Sequence, residues 1–185
     1  MFVVRWIECF SVFEGSRVHP RGTLDGVTRM IVDQINMVIG VDPGKSGAIS
    51  VLWDGDVEFR KMTETPHDLV RWLREEITVE SGNVRCVAAI EKVSASPQMG
   101  VTSAFSFGRS YGALEMMLVM LGVPFVFVTP QKWQKSMGCM TAGDKNISKA
   151  AAQRLFPQIK MTHAIADSLL IASWCRQNRQ ELFSE

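Results

Sequence analysis

The chain of 185 residues carries a formal net charge of +1, and apolar residues make up 46% of it against 21% charged. These values are typical of one soluble globular domain with a sizeable core and argue against two. No apolar stretch approaches the roughly 18 residues that cross a bilayer, so we expect no membrane association. The four cysteines are scattered, and we expect buried thiols in a reducing cytoplasm, with zinc or disulfides as the lesser alternative.

The first 36 residues differ from the rest of the chain because they show no regular period. Met1–Phe10 is apolar but is interrupted by two charged residues, which makes it a poor signal peptide. We expect residues 1–36 to be an N-terminal extension, poorly ordered or upstream of a natural start at Met37. Residues 37–185 would then form the functional domain.

From Met37 onward the apolar periods predict a mixed α/β fold. Apolar runs bounded by turn residues predict five strands, at Val38–Val41, Ala48–Trp53, Val57–Met62, Val84–Ile90 and Phe125–Val128. Helical periods predict helices that begin at Pro66 and Pro130 and helices that span Thr102–Leu121, Asp144–Phe156 and His163–Arg176. Three antiparallel strands followed by alternating helices and strands predict a mixed sheet with helices on both faces.

The second half of the long predicted helix, Ala113–Leu121, is apolar nearly all round. Such a helix is either fully buried or half covered by a partner subunit. Met116, Met117 and Met120 are therefore candidates for a dimer seam, and core packing is the alternative for at least half of them.

Acidic residues follow two of the predicted core strands. Asp42 ends the first strand before a glycine-rich turn, and Glu91 ends the fourth. If these strands are parallel neighbours, both carboxylates emerge at one edge of the sheet, where ligands bind in open α/β sheets. Asp167 lies on the last helix, and His163 lies one turn earlier on the same face. These oxygen and nitrogen ligands suit Mg²⁺, and two ions about 4 Å apart would support phosphodiester hydrolysis.

Each of these residues also has a purely structural interpretation. An Asp before Pro-Gly is often a turn residue, Glu91 beside Lys92 suits a surface ion pair, and His163 suits a helix start. The segment Gly40–Ser46 resembles a P-loop, but only three residues separate its glycines where the motif needs four. A strand also follows it where a P-loop requires a helix, so we reject that interpretation.

Basic residues dominate the stretch from Lys92 to Lys160, which contains eight Lys or Arg but only two acidic residues. This balance indicates a basic face for a polyanion, with ordinary solvated lysines as the alternative.

Five segments, in this order and spacing, resemble the RuvC-like Holliday-junction resolvases, particularly their phage-type members. They are Gly40-Val-Asp-Pro-Gly, Ala89-Ile-Glu-Lys-Val, Phe105-Ser-Phe-Gly-Arg-Ser-Tyr-Gly, Thr129-Pro-Gln-Lys-Trp and Ala166-Asp-Ser-Leu-Leu-Ile-Ala. The resemblance covers about residues 37–175. It implies an RNase H-like fold with a five-stranded mixed sheet. It also implies a homodimer that nicks two strands of a four-way or branched DNA junction, using Mg²⁺ or Mn²⁺, in a bacterial or phage-infected cell.

The resemblance implies that Asp42, Glu91 and Asp167 are metal ligands for two ions. The family places a fourth ligand, acidic or His, about one turn before the last Asp, and His163 is the candidate here. A neutral imidazole suits Mn²⁺ better than Mg²⁺, so the metal preference stays open. We also include Lys145 among the candidate catalytic residues, beside the four candidate ligands.

The basic residues are candidate DNA contacts under this hypothesis, since phosphate contacts position DNA without reading its sequence. Bacterial members also carry an aromatic residue soon after the second acid. Here that position is vacant or its role falls to another residue such as Phe107. The DNA-contact candidates are Phe107, Arg109, Lys132, Lys135, Lys145 and Lys149.

Two other functions stay open at this point. An actin-like ATPase would share the strand-turn-strand start, but it predicts a second Asp-x-Gly loop and a glycine-rich adenosine loop, and the sequence shows neither. A non-catalytic junction binder would keep the fold and the basic face while its metal site has decayed at the fourth ligand.

Overall fold

The computed structural model describes residues 35–53, 55–62, 65–78, 85–96, 98–140 and 143–183. The expected N-terminal extension lies outside these residues, except for Ile35 and Asn36, which belong to the first strand. None of the described helices is both long and apolar enough to cross a membrane.

The helices and strands follow one another much as the spacing of apolar residues in the sequence predicts. The strands are β1 (Ile35–Val41), β2 (Ala48–Leu52), β3 (Val57–Lys61), β4 (Arg85–Glu91) and β5 (Phe125–Val128). The helices are α1 (Pro66–Thr78), α2 (Val101–Met120), α3 (Pro130–Ser136), α4 (Lys145–Leu155) and α5 (His163–Phe183). Nearly all their bounds agree with the predicted ones within a residue or two.

The strands form one mixed sheet in the order β3-β2-β1-β4-β5. β1 pairs antiparallel with β2 and parallel with β4, and β4 pairs parallel with β5. The predicted parallel pairing of the first and fourth strands is therefore confirmed. The predicted antiparallel arrangement of the first three strands is also confirmed. Gly55, in the turn between β2 and β3, has a φ of 111°, a conformation that favours glycine.

Both faces of the sheet are covered, because successive side chains of a strand point to opposite sides. On one face, Val38 and Ala89 pack in a core with α3, α4 and α5. On the other face, Ile39 and Ile90 pack in a second core with α1 and α2. The predicted sheet flanked by helices on both faces, an RNase H-like fold, is confirmed.

One helix differs from its prediction, and the structure distinguishes the two sides of another. The prediction that the last helix ends at Arg176 is wrong, because α5 continues to Phe183. Leu182 is buried in the same core as the first part of that helix, and this contact stabilises the extra turns. In α2, Met117 is 5% exposed and belongs to the core, whereas Met116 is 57% and Met120 75% exposed.

Candidate metal centre

Asp42 lies directly after β1 and is fixed by the turn that follows it. Its Oδ1 accepts a hydrogen bond of 3.1 Å from the Gly44 amide, and its own amide donates to Ala48 O at 3.0 Å. A Cβ at Gly47 would lie 2.2 Å from Asp42 O and 2.7 Å from its Cγ. The turn therefore needs glycine at position 47 to fold against this carboxylate.

Glu91 is the last residue of β4 and is held at both its side chain and its main chain. The Trp133 indole Nε1 donates to Glu91 Oε1 at 2.9 Å. The Tyr111 hydroxyl donates to the Glu91 carbonyl oxygen at 3.3 Å. Helices on opposite faces of the sheet thus converge on this one residue, since Trp133 lies on α3 and Tyr111 on α2.

Asp167 lies near the start of α5, and a glycine in β1 allows this helix to approach the sheet. A Cβ at Gly40 would lie 2.1 Å from Ser168 O and 2.4 Å from Ala172 N, so backbone contacts backbone at this crossing. The buried hydroxyls of Ser50 and Ser168 also share a hydrogen bond of 2.6 Å. These contacts fix Asp167 near the end of β1.

The three carboxylates are close enough to influence one another electrostatically. The pKa of Glu91 is raised to about 7, chiefly by burial; the Trp133 hydrogen bond and Lys145 oppose the rise, and the charges of Asp42 and Asp167 contribute to it. Burial likewise raises the pKa of Asp42 to about 6; the Gly44 amide opposes the rise and Asp167 adds to it. The structure therefore gathers three half-buried carboxylates at the predicted edge of the sheet.

This donor set fits a divalent cation. Asp167 Oδ1 is buried and accepts no hydrogen bond from the described residues, so it is a lone oxygen acceptor beside two further carboxylates. A hard cation such as Mg²⁺ or Mn²⁺ prefers ligands of this kind. In the described part of the chain, however, no three His, Cys, Asp or Glu side chains already stand in a metal-binding group. An ion would have to draw the carboxylates together.

His163, the expected fourth ligand, lies exposed at the first position of α5. The structure shows no hydrogen bond or ion pair between it and the three carboxylates, all of which belong to the described residues. Its role as a ligand stays a prediction.

The predicted DNA-contact residues fall into two groups. The first lies on the helices after β5: Lys145 begins α4 and acts electrostatically on both Asp42 and Glu91, and Lys149 follows one turn later. Lys132 and Lys135 are exposed on α3, with the Lys132 ammonium 5.5 Å from the centre of the Trp174 ring.

The second group lies on α2. Arg109 is exposed with its guanidinium 6.0 Å from the Phe105 ring, and Phe107 stacks on Tyr111 at 6.1 Å. Phe107 also lines a cleft of about 700 Å³ between α2, α1 and the β1–β2 turn, which Lys45 borders. The cleft adjoins the candidate centre through Gly44, but the three carboxylates do not line it.

Sequence reasoning missed the residues that hold the carboxylates in place. Trp133 lies in the Thr129–Trp133 motif, so the sequence marked it as a residue of interest. Nothing in the sequence, however, indicates its contact with Glu91, which is 42 residues away. Ser50 and Ser168 are 118 residues apart, and no local pattern marks either of them as a partner of the other.

Comparisons with known proteins give a fold and no sequence family, since no protein-family model and no curated protein matches the chain. The chain is similar to Thermus thermophilus RuvC at 17% identity, with a TM-score of 0.51 over 80% of this chain and 97% of that one. It is also similar to T. thermophilus RuvC in complex with Holliday junction substrate, at 18% identity and a TM-score of 0.49 over 79% and 96%. The first similarity shows a RuvC-like fold, in agreement with the fold of the family that the five motifs resemble.

Proposed function

We propose that the chain is a metal-dependent endonuclease that nicks four-way or otherwise branched DNA junctions. The observation that carries the proposal is the convergence of Asp42, Glu91 and Asp167, half-buried and electrostatically coupled, at one edge of a RuvC-like sheet. Perturbed carboxylates at such an edge are typical of functional sites. The five motifs that resemble RuvC-like resolvases support branched DNA as the substrate class.

Asp42, Glu91 and Asp167 would hold two Mg²⁺ or Mn²⁺ ions, with His163 as a fourth ligand. When bound, such ions supply an activated water and stabilise the leaving oxygen in phosphodiester hydrolysis. The chain itself orients the ligands, since the Gly44 amide fixes one oxygen of Asp42 and the Trp133 indole one oxygen of Glu91.

Lys145 acts electrostatically on Asp42 and Glu91, which supports a role for it in contacting a phosphate beside them. Lys132, Lys135 and Lys149 would extend this contact along the DNA backbone, and Arg109 and Phe107 would meet the junction from α2. We also propose a homodimer, formed through the exposed methionines of α2, that presents two such centres to the two strands of a junction.

A non-catalytic junction binder is the second candidate. The exposed position of His163 and the open arrangement of the acids favour it, because a decayed site would keep the fold and lose the closed ligand group. The actin-like alternative has no comparable support, since the sequence shows neither the second Asp-x-Gly loop nor the glycine-rich adenosine loop that it requires.

Substitution of Asp42 by Asn separates these candidates. The amide keeps the size of the side chain and the acceptor for Gly44 but removes the charge that an ion requires. Cleavage of a synthetic four-way junction in Mg²⁺ or Mn²⁺ should fall to background, while junction binding in a gel-shift assay stays at the wild-type level.

Asp56→Asn is the matched control, because Asp56 is an exposed acid outside the centre. It should leave both cleavage and binding unchanged. An Asp42→Asn chain that cuts at the wild-type rate would refute the mechanism, and a wild-type chain that binds but never cuts would favour the non-catalytic binder.

A further inference from the structure

Trp133 combines complete burial with a polar contact to a candidate ligand. The side chain is 0% exposed and packs in the core beneath α3, α4 and α5. Its Nε1–H, which can only donate, is directed to Glu91 Oε1 at 2.9 Å. The structure shows no other described donor to the Glu91 carboxylate, so this indole defines where one of its oxygens lies.

Contacts with neighbouring residues fix the main chain of Glu91 and one of its two carboxylate oxygens. The main chain at the end of β4 is fixed by the Tyr111 hydroxyl on Glu91 O and by the Lys92 amide, which donates to Val128 O at 2.7 Å. With the backbone and Oε1 both held, Oε2 is the oxygen left for another partner. Because Asp42 and Asp167 act electrostatically on Glu91, the held carboxylate lies within electrostatic range of the other two acids of the centre.

The start of α3, the helix that carries Trp133, is fixed by its N-cap, which determines which side of the helix faces the core. Thr129 caps α3 by accepting a hydrogen bond from the Lys132 amide, and Pro130 opens the helix. This register turns Trp133 into the core while Lys132 and Lys135 stay exposed. The same short helix thus holds a candidate ligand on its inner side and two candidate DNA contacts on its outer side.

We propose that Trp133 is a positioning residue that orients Glu91 for metal binding, an inference that rests on the proposed function. At a merely apolar core position, Phe would lose packing only, whereas a position that orients a ligand requires the indole N–H. Loss of a group that orients a metal ligand typically weakens metal affinity by about 10–100-fold.

The test compares Trp133→Phe with Trp174→Phe, which removes a buried indole from the same core without touching Glu91. Mn²⁺ affinity of the DNA-free chain is measured by isothermal titration calorimetry. Trp133→Phe should weaken it by about 10-fold or more and Trp174→Phe should leave it unchanged. Equal affinity in the wild type and Trp133→Phe, or an equal loss in Trp174→Phe, would overturn the inference.

A double-mutant cycle asks whether Trp133 acts through Glu91. In a Glu91→Ala background, Trp133→Phe should cause no further loss of Mn²⁺ affinity, because the group that it orients is gone. The same loss in both backgrounds would show a general structural effect and overturn the inference.

An NMR measurement decides the question if Trp133→Phe does not fold or Glu91→Ala binds too weakly to titrate. The indole N–H signal of Trp133 in the wild type should shift on addition of Mg²⁺, and an unmoved signal would overturn the inference. A wild-type chain that neither binds Mn²⁺ nor cuts junctions would refute the proposed function and this inference together. A wild-type chain that cuts normally, with unchanged Trp133→Phe affinity, would refute this inference and leave the function standing.

Discussion

At the scale of single residues, the candidate centre places like charges together in a partly buried place. Asp42 and Glu91 have pKa values raised to about 6 and about 7, chiefly because burial disfavours their ionised forms. Near neutral pH the metal-free fold must therefore hold ionised carboxylates at a cost in stability. A bound cation would remove that cost, which makes the strain at this edge a sign of function.

Glu91→Gln should stabilise the metal-free protein at pH 8. The folded pKa of about 7 lies above the ordinary value of 4.5, so ionised Glu91 destabilises the fold fully above about pH 7. Gln removes the charge and retains an oxygen for the Trp133 N–H. The melting temperature in EDTA should rise by several degrees, since each kcal/mol shifts it by roughly 2–4 °C in a domain of this size.

The pH dependence gives the control for this prediction. The difference in melting temperature should shrink as pH falls through 7 and vanish below about 4.5, where Glu91 is protonated in both the folded and the unfolded chain. A Gln variant that is no more stable than the wild type at pH 8 would mean that the ionised Glu91 carboxylate does not destabilise the fold.

Sequence reasoning could locate the acids but not the groups that hold them. Asp42 and Glu91 were predictable because each follows an apolar strand, and strand ends are a local signal. The Trp133 and Tyr111 contacts depend on how helices from opposite faces of the sheet meet one residue, which no local pattern encodes.

At the scale of elements, the position of α5 against β1 decides where Asp167 lies. Gly40 allows this helix to contact the strand backbone directly, and the Ser50–Ser168 hydrogen bond holds it in place. The period of the last helix was readable from the sequence as far as Arg176. Its continuation was not, because the final turns depend on burial of Leu182 in a distant core.

Gly40→Ala should separate α5 from the sheet and displace Asp167. The new Cβ would meet backbone atoms of Ser168 and Ala172 at 2.1 and 2.4 Å, and backbone cannot yield as a flexible side chain does. We expect a loss of about 3 kcal/mol in the free energy of unfolding, at the upper end for overpacked cores. Urea denaturation followed by circular dichroism measures it.

Gly108→Ala on α2 provides the comparison, because its Cβ would meet nothing within 4 Å. It should be neutral or stabilise the chain by about 0.5–1 kcal/mol through helix propensity. Equal stability of the Gly40 and Gly108 variants would contradict the close packing of β1 and α5.

At the scale of the whole molecule, α2 presents one face to the core and one to solvent. Leu114, Met117 and Leu118 are buried, whereas Met116 and Met120, one turn apart, are exposed. The sequence predicted a helix that is buried or half covered, and the structure distinguishes its two sides. A large exposed apolar stripe on a globular domain is typical of a partner interface.

The double substitution Met116→Glu and Met120→Glu should convert the proposed homodimer to a monomer, because charge on both sides of a twofold interface repels. Light scattering after size exclusion should show a fall from the mass of two chains to that of one. Leu155→Glu, an exposed apolar residue on α4, should leave the mass unchanged. A wild-type chain that is already monomeric at micromolar concentration would contradict the proposed dimer.

The most direct test of the proposed function is the cleavage of a four-way junction beside a linear duplex of the same arm sequences. In Mg²⁺ or Mn²⁺ the wild-type chain should nick two strands of the junction, leave the duplex intact and produce ends that a ligase rejoins. Cleavage of both substrates at equal rates, or no cleavage of the junction with either ion, would contradict the account.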